Sequence, residues 1–457
     1  MTDLKCISPI DGSVYAQRST LDLKAAQDCV VRAKTEQALW QQRPLQERID
    51  LVMAGVAAIG DMNDDIVTEL AWQMGRPIHY GGEFGGFNER ASHMASIAHE
   101  ALADIEVSND EYFKRLIRRQ AHGVVLVIAP WNYPYMTAIN TVAPALIAGN
   151  AVLLKHSTQT LLVGERMAKA FHSVGVPESI FQNMFLDHQT TSDLIAKKSF
   201  GFVNFTGSVG GGRAMEVAAA GTFTNLGLEL GGKDPGYVMA DADLDAAVET
   251  LIDGAMFNSG QCCCGIERIY VAEEVYDAFV EKAVAIVKAY KLGNPLDKET
   301  TLGPMAHKRF ADEVRAQISE AIADGATAHI PQFAEDDGGA YITPQILTGV
   351  THDMRVMRDE SFGPVVGIMK VKRDEEAIAL MNDSDFGLTA SLWTKDLDRA
   401  ERIGLSLETG TVFMNRCDYL DPALCWTGCK DTGRGGGLSV IGYHNLTRPK
   451  SYHLKKV

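Results

Sequence analysis

Along the chain, stretches in which apolar side chains return every three or four residues alternate with short unbroken apolar runs. Residues 21–38 and 44–60 show the first pattern, which predicts amphipathic helices packed along one face. Val124-Val125-Leu126-Val127-Ile128 and Ala151-Val152-Leu153-Leu154 show the second, which suits strands covered on both faces in a parallel sheet. Residues 136–148, between these two strands, read as a crossover helix. A helix over about 160–174, a strand at Phe202-Val203-Asn204-Phe205 and a helix opening after Thr206-Gly207-Ser208 continue the alternation. The pattern predicts an α/β fold with a doubly wound parallel sheet. Helices over 243–257 and 274–290, a turn at Gly293-Asn294-Pro295-Leu296, a strand within Gly363–Met369 and a helix over 373–382 predict a second α/β lobe. Residues 428–437 read as loop, and the alternating tail Ser451–Val457 reads as an edge strand.

The length of 457 residues sets a prior of about three lobes and ample chain for a large core. The net charge of −16 disfavours nucleic acid and anionic membrane surfaces as partners. No run reaches the roughly 18 apolar residues of a membrane span, and Met1–Cys6 lacks the features of a signal peptide, so a cytoplasmic location is expected. Eight scattered cysteines are too sparse for a disulfide framework and are expected as thiols. A metal is not expected. The adjacent Cys262, Cys263 and Cys264 cannot all turn to one ion without severe backbone distortion, and glycines argue against the helix that would bring Cys425 and Cys429 together.

Two runs carry candidate chemistry. Leu228-Glu229-Leu230-Gly231-Gly232-Lys233 and Gly260-Gln261-Cys262-Cys263-Cys264-Gly265 each set a carboxylate or a thiol among glycines and small residues, which permit close approach by another molecule. Glu229 and Cys263 are 34 residues apart, suited to a base and a nucleophile on two elements meeting at a cleft. The run Thr206-Gly207-Ser208-Val209-Gly210-Gly211-Gly212-Arg213 lies between a strand and a helix, where backbone amides and the helix dipole hold a dinucleotide pyrophosphate. Its spacing is not the usual Gly-x-Gly-x-x-Gly, and a plain tight turn reads equally well.

Six motifs together are more specific. Ala129-Pro130-Trp131-Asn132-Tyr133-Pro134, the Lys155 run, Phe205-Thr206-Gly207-Ser208, Glu229-Leu230-Gly231-Gly232-Lys233, Gly260-Gln261-Cys262-Cys263-Cys264 and Glu360-Ser361-Phe362-Gly363-Pro364 occur in order over nearly the whole chain. In this the chain resembles the NAD(P)-dependent aldehyde dehydrogenase superfamily. The resemblance implies an aldehyde dehydrogenase-like fold: a Rossmann-type cofactor domain (1–104 and 122–231), an α/β catalytic domain (232–439) and a β oligomerisation arm (105–121 and 440–457). It implies oxidation of an aldehyde to a carboxylate through a thiohemiacetal and thioester on Cys263. Glu229 would be the general base, and the Asn132 amide with the Cys263 N–H would form the oxyanion hole. NAD or NADP would be held by Trp131, Lys155, Thr158, Gly207, Ser208, Gly231, Glu360 and Phe362, and a homodimer or homotetramer is the family habit.

The chain departs from its resemblance in informative places. Many NAD-preferring members carry a glutamate three residues after the lysine; Thr158 stands there, removes the repulsion of a 2′-phosphate and makes NADP use plausible. Arginines that would pair with a dicarboxylic semialdehyde are replaced by Asn140 and Phe257, which disfavours a substrate held in that manner. Arg416 is expected at the substrate entrance, and Tyr135, Met136, Met256, Phe257, Tyr419 and Trp426 suggest an apolar funnel. Trp426-Thr427-Gly428-Cys429-Lys430 replaces the commoner Pro-Phe-Gly-Gly-x-Lys, which leaves the shape of that loop open. A CoA-acylating enzyme is one alternative, disfavoured by the presence of Glu229. A non-catalytic NAD-binding structural protein is another, disfavoured by the intact Cys263, Glu229 and Asn132.

Overall fold

The computed structural model describes residues 2–457. Two parallel sheets dominate it. The first has six strands in the order Gly433–Arg434, Asn225–Glu229, Phe202–Thr206, Val124–Ala129, Ala151–His156 and Phe181–Asn183, all parallel except the short Gly433–Arg434 edge. Every residue of Val124–Ala129 and Ala151–His156 is buried, as uninterrupted apolar runs require when helices cover both faces. The chain winds outward in both directions from the neighbouring strands Val124–Ala129 and Phe202–Thr206. At such a switch point, the loops beyond the carboxyl ends of the strands open a crevice. Those loops carry Trp131 and Asn132 on one side and Gly207 and Ser208 on the other.

The second sheet has seven strands in the order Thr327–Ala328, Gln345–Thr348, Val365–Val371, Ile266–Ala272, Asp234–Val238, Thr389–Trp393 and Thr411–Met414, with only Thr327–Ala328 antiparallel. The link between the sheets is short. Glu229 ends a strand of the first, Asp234 begins a strand of the second, and Leu230–Lys233 cross between them.

A third, antiparallel sheet joins Ile105–Asn109, Phe113–Ala121 and the C-terminal strand Thr447–Lys455. The tail strand begins earlier than Ser451. Its side chains are mostly exposed, so the register with Phe113–Ala121, rather than a buried face, sets its length. Residues 428–437 also differ from a plain loop. Cys429–Lys430 pairs with Phe386–Gly387, and Gly433–Arg434 pairs with Leu228–Glu229, so backbone hydrogen bonds from distant segments give this glycine-rich stretch its shape.

The helix Pro134–Ile147 is buried over almost its whole length, and it begins directly after the Asn132 loop. Its capping residue, Tyr133, offers no side-chain hydrogen bond. Instead Glu83, from a separate segment, accepts the Tyr135 and Met136 N–H groups at 2.9 and 2.8 Å, placing a carboxylate on the positive end of the helix. Glu83 in turn pairs with the buried Arg76 at 2.6 Å. Among the described residues, no helix is long and apolar enough to cross a membrane.

Candidate active site

Cys263 lies on a loop built from rarely used backbone conformations. Asn258, Ser259 and Gly260 have φ of 54°, 58° and 68° in succession, and for the two non-glycine residues such angles cost about 1–3 kcal/mol each. Side chains hold the loop there. Asn258 Nδ2 donates to the Gln261 carbonyl at 3.2 Å, Gln261 Nε2 donates to the Asn258 carbonyl at 2.9 Å, and Gln261 Oε1 accepts the Ala306 N–H at 2.7 Å. Ser259 Oγ donates to the Gly303 carbonyl at 2.8 Å. At Gly260, a Cβ would fall 2.2 Å from the Gly363 carbonyl oxygen. Glycine is therefore required.

The Cys263 thiol and the Glu229 carboxyl line one cavity of about 240 Å3, together with Tyr133, Met136, Phe257, Tyr419, Leu420 and Trp426. Burial is the main cause that lifts the Glu229 carboxyl from 4.5 to about 7, and the nearby Cys263 sulfur adds to it. The Thr206 hydroxyl, donating to Glu229 Oε2 at 3.3 Å, opposes the shift.

Cys262 and Cys264 approach each other to 3.5 Å between sulfurs, and both thiols donate to Asp418 Oδ1, at 3.2 and 2.9 Å. Proximity to the other two sulfurs holds the Cys263 thiol well below its ordinary range, and proximity to Cys263 and to the Asp418 carboxylate holds its two neighbours above theirs. Burial lifts Asp418 to about 6. One sulfur of the three is thereby favoured as thiolate. The ligating atoms of Cys262, Cys264 and Asp418 also lie within 4.8 Å of one another, a convergence that adjacency in sequence does not reveal because Asp418 comes from 154 residues away.

Asn132 is buried, and its Nδ2 donates to the Gln261 carbonyl at 3.2 Å, leaving the second hydrogen of the amide uncommitted in that bond. Its carbonyl accepts from Arg76 Nη2 and, at 3.3 Å, from Asn258 Nδ2. The Arg76–Glu83 pair thus ties the Asn132 loop, the start of the following helix and the Cys263 loop into one network. Among the described residues, no other residue's backbone accepts from the Cys263 N–H.

The residues expected around a dinucleotide fall into two groups. On the first sheet, Ser208 caps the helix Val209–Ala219 by accepting the Gly211 N–H at 3.2 Å. The Gly207 N–H donates to the Glu229 carbonyl at 3.0 Å, and Cβ atoms at Gly207 and Gly211 would come within 2.9 and 2.4 Å of the Phe205 ring. Lys155, one residue before the end of its strand, is buried with no acidic group within 4 Å among the described residues, and its ammonium is pushed down by desolvation. Thr158 opens the single turn Thr158–Thr160 just beyond. A buried cation with no acidic partner in contact fits a phosphate-bearing dinucleotide.

The second group brackets Cys263. Trp131 stacks on Phe310, with centroids 5.3 Å apart, and meets the Phe362 ring edge-on at 5.5 Å. Glu360 Oε1 accepts the Gly232 N–H at 3.0 Å, and a Cβ at Gly231 would lie 2.6 Å from the same carboxylate. Burial, then the nearby Glu267, lift Glu360 to about 8. The loop itself is held by a buried pair that motif reading did not single out. Lys233 Nζ donates to Glu267 Oε2 at 2.6 Å and to Ser361 Oγ at 3.0 Å, while Glu267 accepts the Ser361 and Phe362 N–H groups at 2.8 and 2.9 Å. Lys233 lies in the Glu229–Lys233 motif, whereas Glu267, inside the buried strand Ile266–Ala272, carries no mark of its role in the sequence.

Three expectations for the funnel change. Tyr135 is buried against Phe87, and Met256 is buried in the core of the second lobe, so neither lines the cavity. Each belongs to a helix whose packing face takes the side chain inward. Arg416 lies over the Tyr419 ring, 3.9 Å from its centroid, and touches the cavity only through that ring. Asn140, in contrast, does line the cavity, and so does Arg90.

The aldehyde dehydrogenase family profile matches residues 1–452. The chain is 31% identical over 447 residues to the succinate-semialdehyde dehydrogenase [NADP(+)] of Deinococcus radiodurans, covering 97% of this chain and 93% of that one. It is 33% identical over 438 residues to the vanillin dehydrogenase of Corynebacterium glutamicum, covering 94% and 89%. Its structure superposes on the lactaldehyde dehydrogenase of Escherichia coli with a TM-score of 0.94 at 28% identity, covering 99% of this chain and 96% of that one. With this match over nearly its full length, and with a thiol, a carboxyl and a glycine-lined crevice gathered at one cleft, the chain belongs to the aldehyde dehydrogenase family.

Proposed function

We propose that Cys263 is the nucleophile of an NAD(P)-dependent aldehyde dehydrogenase, with Glu229 as general base and Asn132 as oxyanion donor. The overall activity is oxidation of an aldehyde to the carboxylate. The observation that carries the assignment of roles is the shared cavity. Cys263, the one sulfur of three favoured as thiolate, opens into it together with a carboxyl that titrates near neutrality.

The Cys263 thiolate attacks the carbonyl carbon, and the charge moves to oxygen. The Asn132 amide and the Cys263 N–H stabilise that oxyanion, and a donor of this kind typically contributes about 3–4 kcal/mol to lowering the barrier. A bound nicotinamide supplies the hydride acceptor. Glu229 then takes a proton from the water that attacks the thioester, releasing the carboxylate and restoring the thiol. Lys155, Thr158, Gly207 and Ser208 would hold the adenosine and pyrophosphate portion; Trp131, Gly231, Glu360 and Phe362 would lie on the nicotinamide side.

In this reading residues 1–104 and 122–231 hold the cofactor, 232–439 carry the nucleophile, and 105–121 with 440–457 serve self-association. Exposed Ile105, Val107 and Leu454 on the third sheet, with Tyr112 in the turn between its strands, support a homo-oligomer. Eight free thiols support a reducing, cytoplasmic compartment.

Intact-mass analysis of Glu229→Gln mixed with an aldehyde and NAD(P) tests the assignment. An acyl group accumulating on Cys263 is the expected result; full turnover with an unmodified Cys263 would overturn it.

A further inference from the structure

The aldehyde cavity contains a buried cation that, among the described residues, no carboxylate touches; Glu83, Glu229 and the Cys263 sulfur favour its charge only from a distance. Arg90, on the helix Phe84–Ala101, is 8% exposed and lines the cavity. Its Nη1 donates to the Met136 carbonyl at 3.0 Å and to Asn140 Oδ1 at 3.4 Å, and among the described residues no carboxylate oxygen lies within 4 Å of it. Burial of a guanidinium without a counter-ion costs several kcal/mol, and an arginine cannot shed its proton to escape that cost.

The neighbouring acids are occupied elsewhere. Glu83 serves Arg76 and the N–H groups of Tyr135 and Met136. Glu89 accepts the Tyr419 hydroxyl at 2.5 Å, Asp418 accepts two thiols, and Glu229 accepts the Thr206 hydroxyl.

A second observation points the same way. A guanidinium only donates, so Asn140 must turn its oxygen toward Arg90, and its Nδ2 is left without a partner although it is buried. Two of the three orphaned buried polar atoms among the described residues, Asn140 Nδ2 and Tyr133 Oη, belong to residues lining this one cavity. A missing acceptor flanked by a guanidinium and an amide is the complement of a carboxylate, whose two oxygens take donors side by side.

We propose that Arg90 and Asn140 form an anion subsite, so that the substrate is an aldehyde carrying a carboxylate at its far end. The inference rests on the reading of the cavity as the aldehyde site. An arginine at position 140 is not needed, because the charge arrives from the neighbouring helix and Asn140 orients it. Arg90 and Asn140 are specificity-determining residues that touch substrate and leave the reaction at Cys263 unchanged in kind.

The test compares 4-oxobutanoate and 5-oxopentanoate with butanal and pentanal, following reduced nicotinamide. The wild type is expected to favour at least one oxo acid over the alkanal of equal length by tenfold or more in kcat/KM. In Arg90→Met that ratio should fall at least tenfold. The ratio is internal to each variant, so general damage cancels. Should Arg90→Met fail to fold, Asn140→Ala should lower the same ratio several-fold, and glutarate should inhibit butanal oxidation competitively in the wild type and more weakly in Asn140→Ala. Alkanals oxidised as well as or better than the oxo acids, or a ratio unmoved by both variants, would overturn the subsite while leaving the activity intact. No nicotinamide reduction with any of the four would overturn the activity and the subsite with it.

Discussion

Gly232 lies against Cys263 so closely that a Cβ on the glycine would fall 2.2 Å from the cysteine's carbonyl oxygen. The crossing between the two sheets therefore sets where Cys263 stands. Gly232→Ala should push the Cys263 loop out of place and lower kcat by two orders of magnitude or more, since misplacement of a reacting atom by about 1 Å can cost 100-fold. Retained wild-type kcat in a correctly folded variant would refute this.

Replacing Cys263 should separate binding from chemistry. Cys263→Ala should abolish formation of reduced nicotinamide while fluorescence titration still detects NAD(P) binding. In the wild type at pH 7, limiting iodoacetamide should label Cys263 before Cys262 or Cys264, whose thiols are held protonated by proximity to Cys263 and to the Asp418 carboxylate. Peptide mapping reads the order.

The pH profile should carry the signature of Glu229. A base must be deprotonated, so kcat should rise with pH through about 7 and level off above it, and Glu229→Gln should lose both that limb and most of the rate. Stability runs the other way. A carboxyl whose value is raised by folding binds its proton more tightly in the native state, so its contribution is greatest below the unfolded value of 4.5 and declines as the pH climbs through about 7. Thermal melts should find Glu229→Gln more stable than the wild type at pH 8 and equal to it near pH 4.

Breaking the buried Lys233–Glu267 pair should strike both stability and cofactor binding. Lys233→Met leaves Glu267 buried without its cation, at a cost of about 3–5 kcal/mol. Because Glu267 also holds the Ser361 and Phe362 amides, the KM for NAD(P) should rise more than the KM for aldehyde. Denaturant melts and initial rates check the two parts.

Thr158 offers a charge test of cofactor choice. Thr158→Glu should lower kcat/KM for NADP relative to NAD by tenfold or more through repulsion of the 2′-phosphate. An unchanged ratio would remove Thr158 from the adenosine site.

Local sequence determined the alternation of helices and strands, because a residue's spacing to its near neighbours fixes which face of an element is apolar, and Val124–Ala129 and Pro134–Ile147 bury accordingly. It also marked Glu229 and Cys263, since glycines and small residues beside a reactive side chain are legible in one dimension; Asn132, set between aromatic residues and prolines, stood out only through the family resemblance. Tertiary structure alone decided which distant groups meet them. Asp418 reaches the flanking thiols, Glu83 caps a helix it does not belong to, and Glu267 holds a loop nearly a hundred residues away. Tyr135 and Met256 turned inward and Arg90 turned into the cavity for the same reason: on a helix, the choice between core and cleft is made by the element packed against it, and that element is not written at the residue's own position.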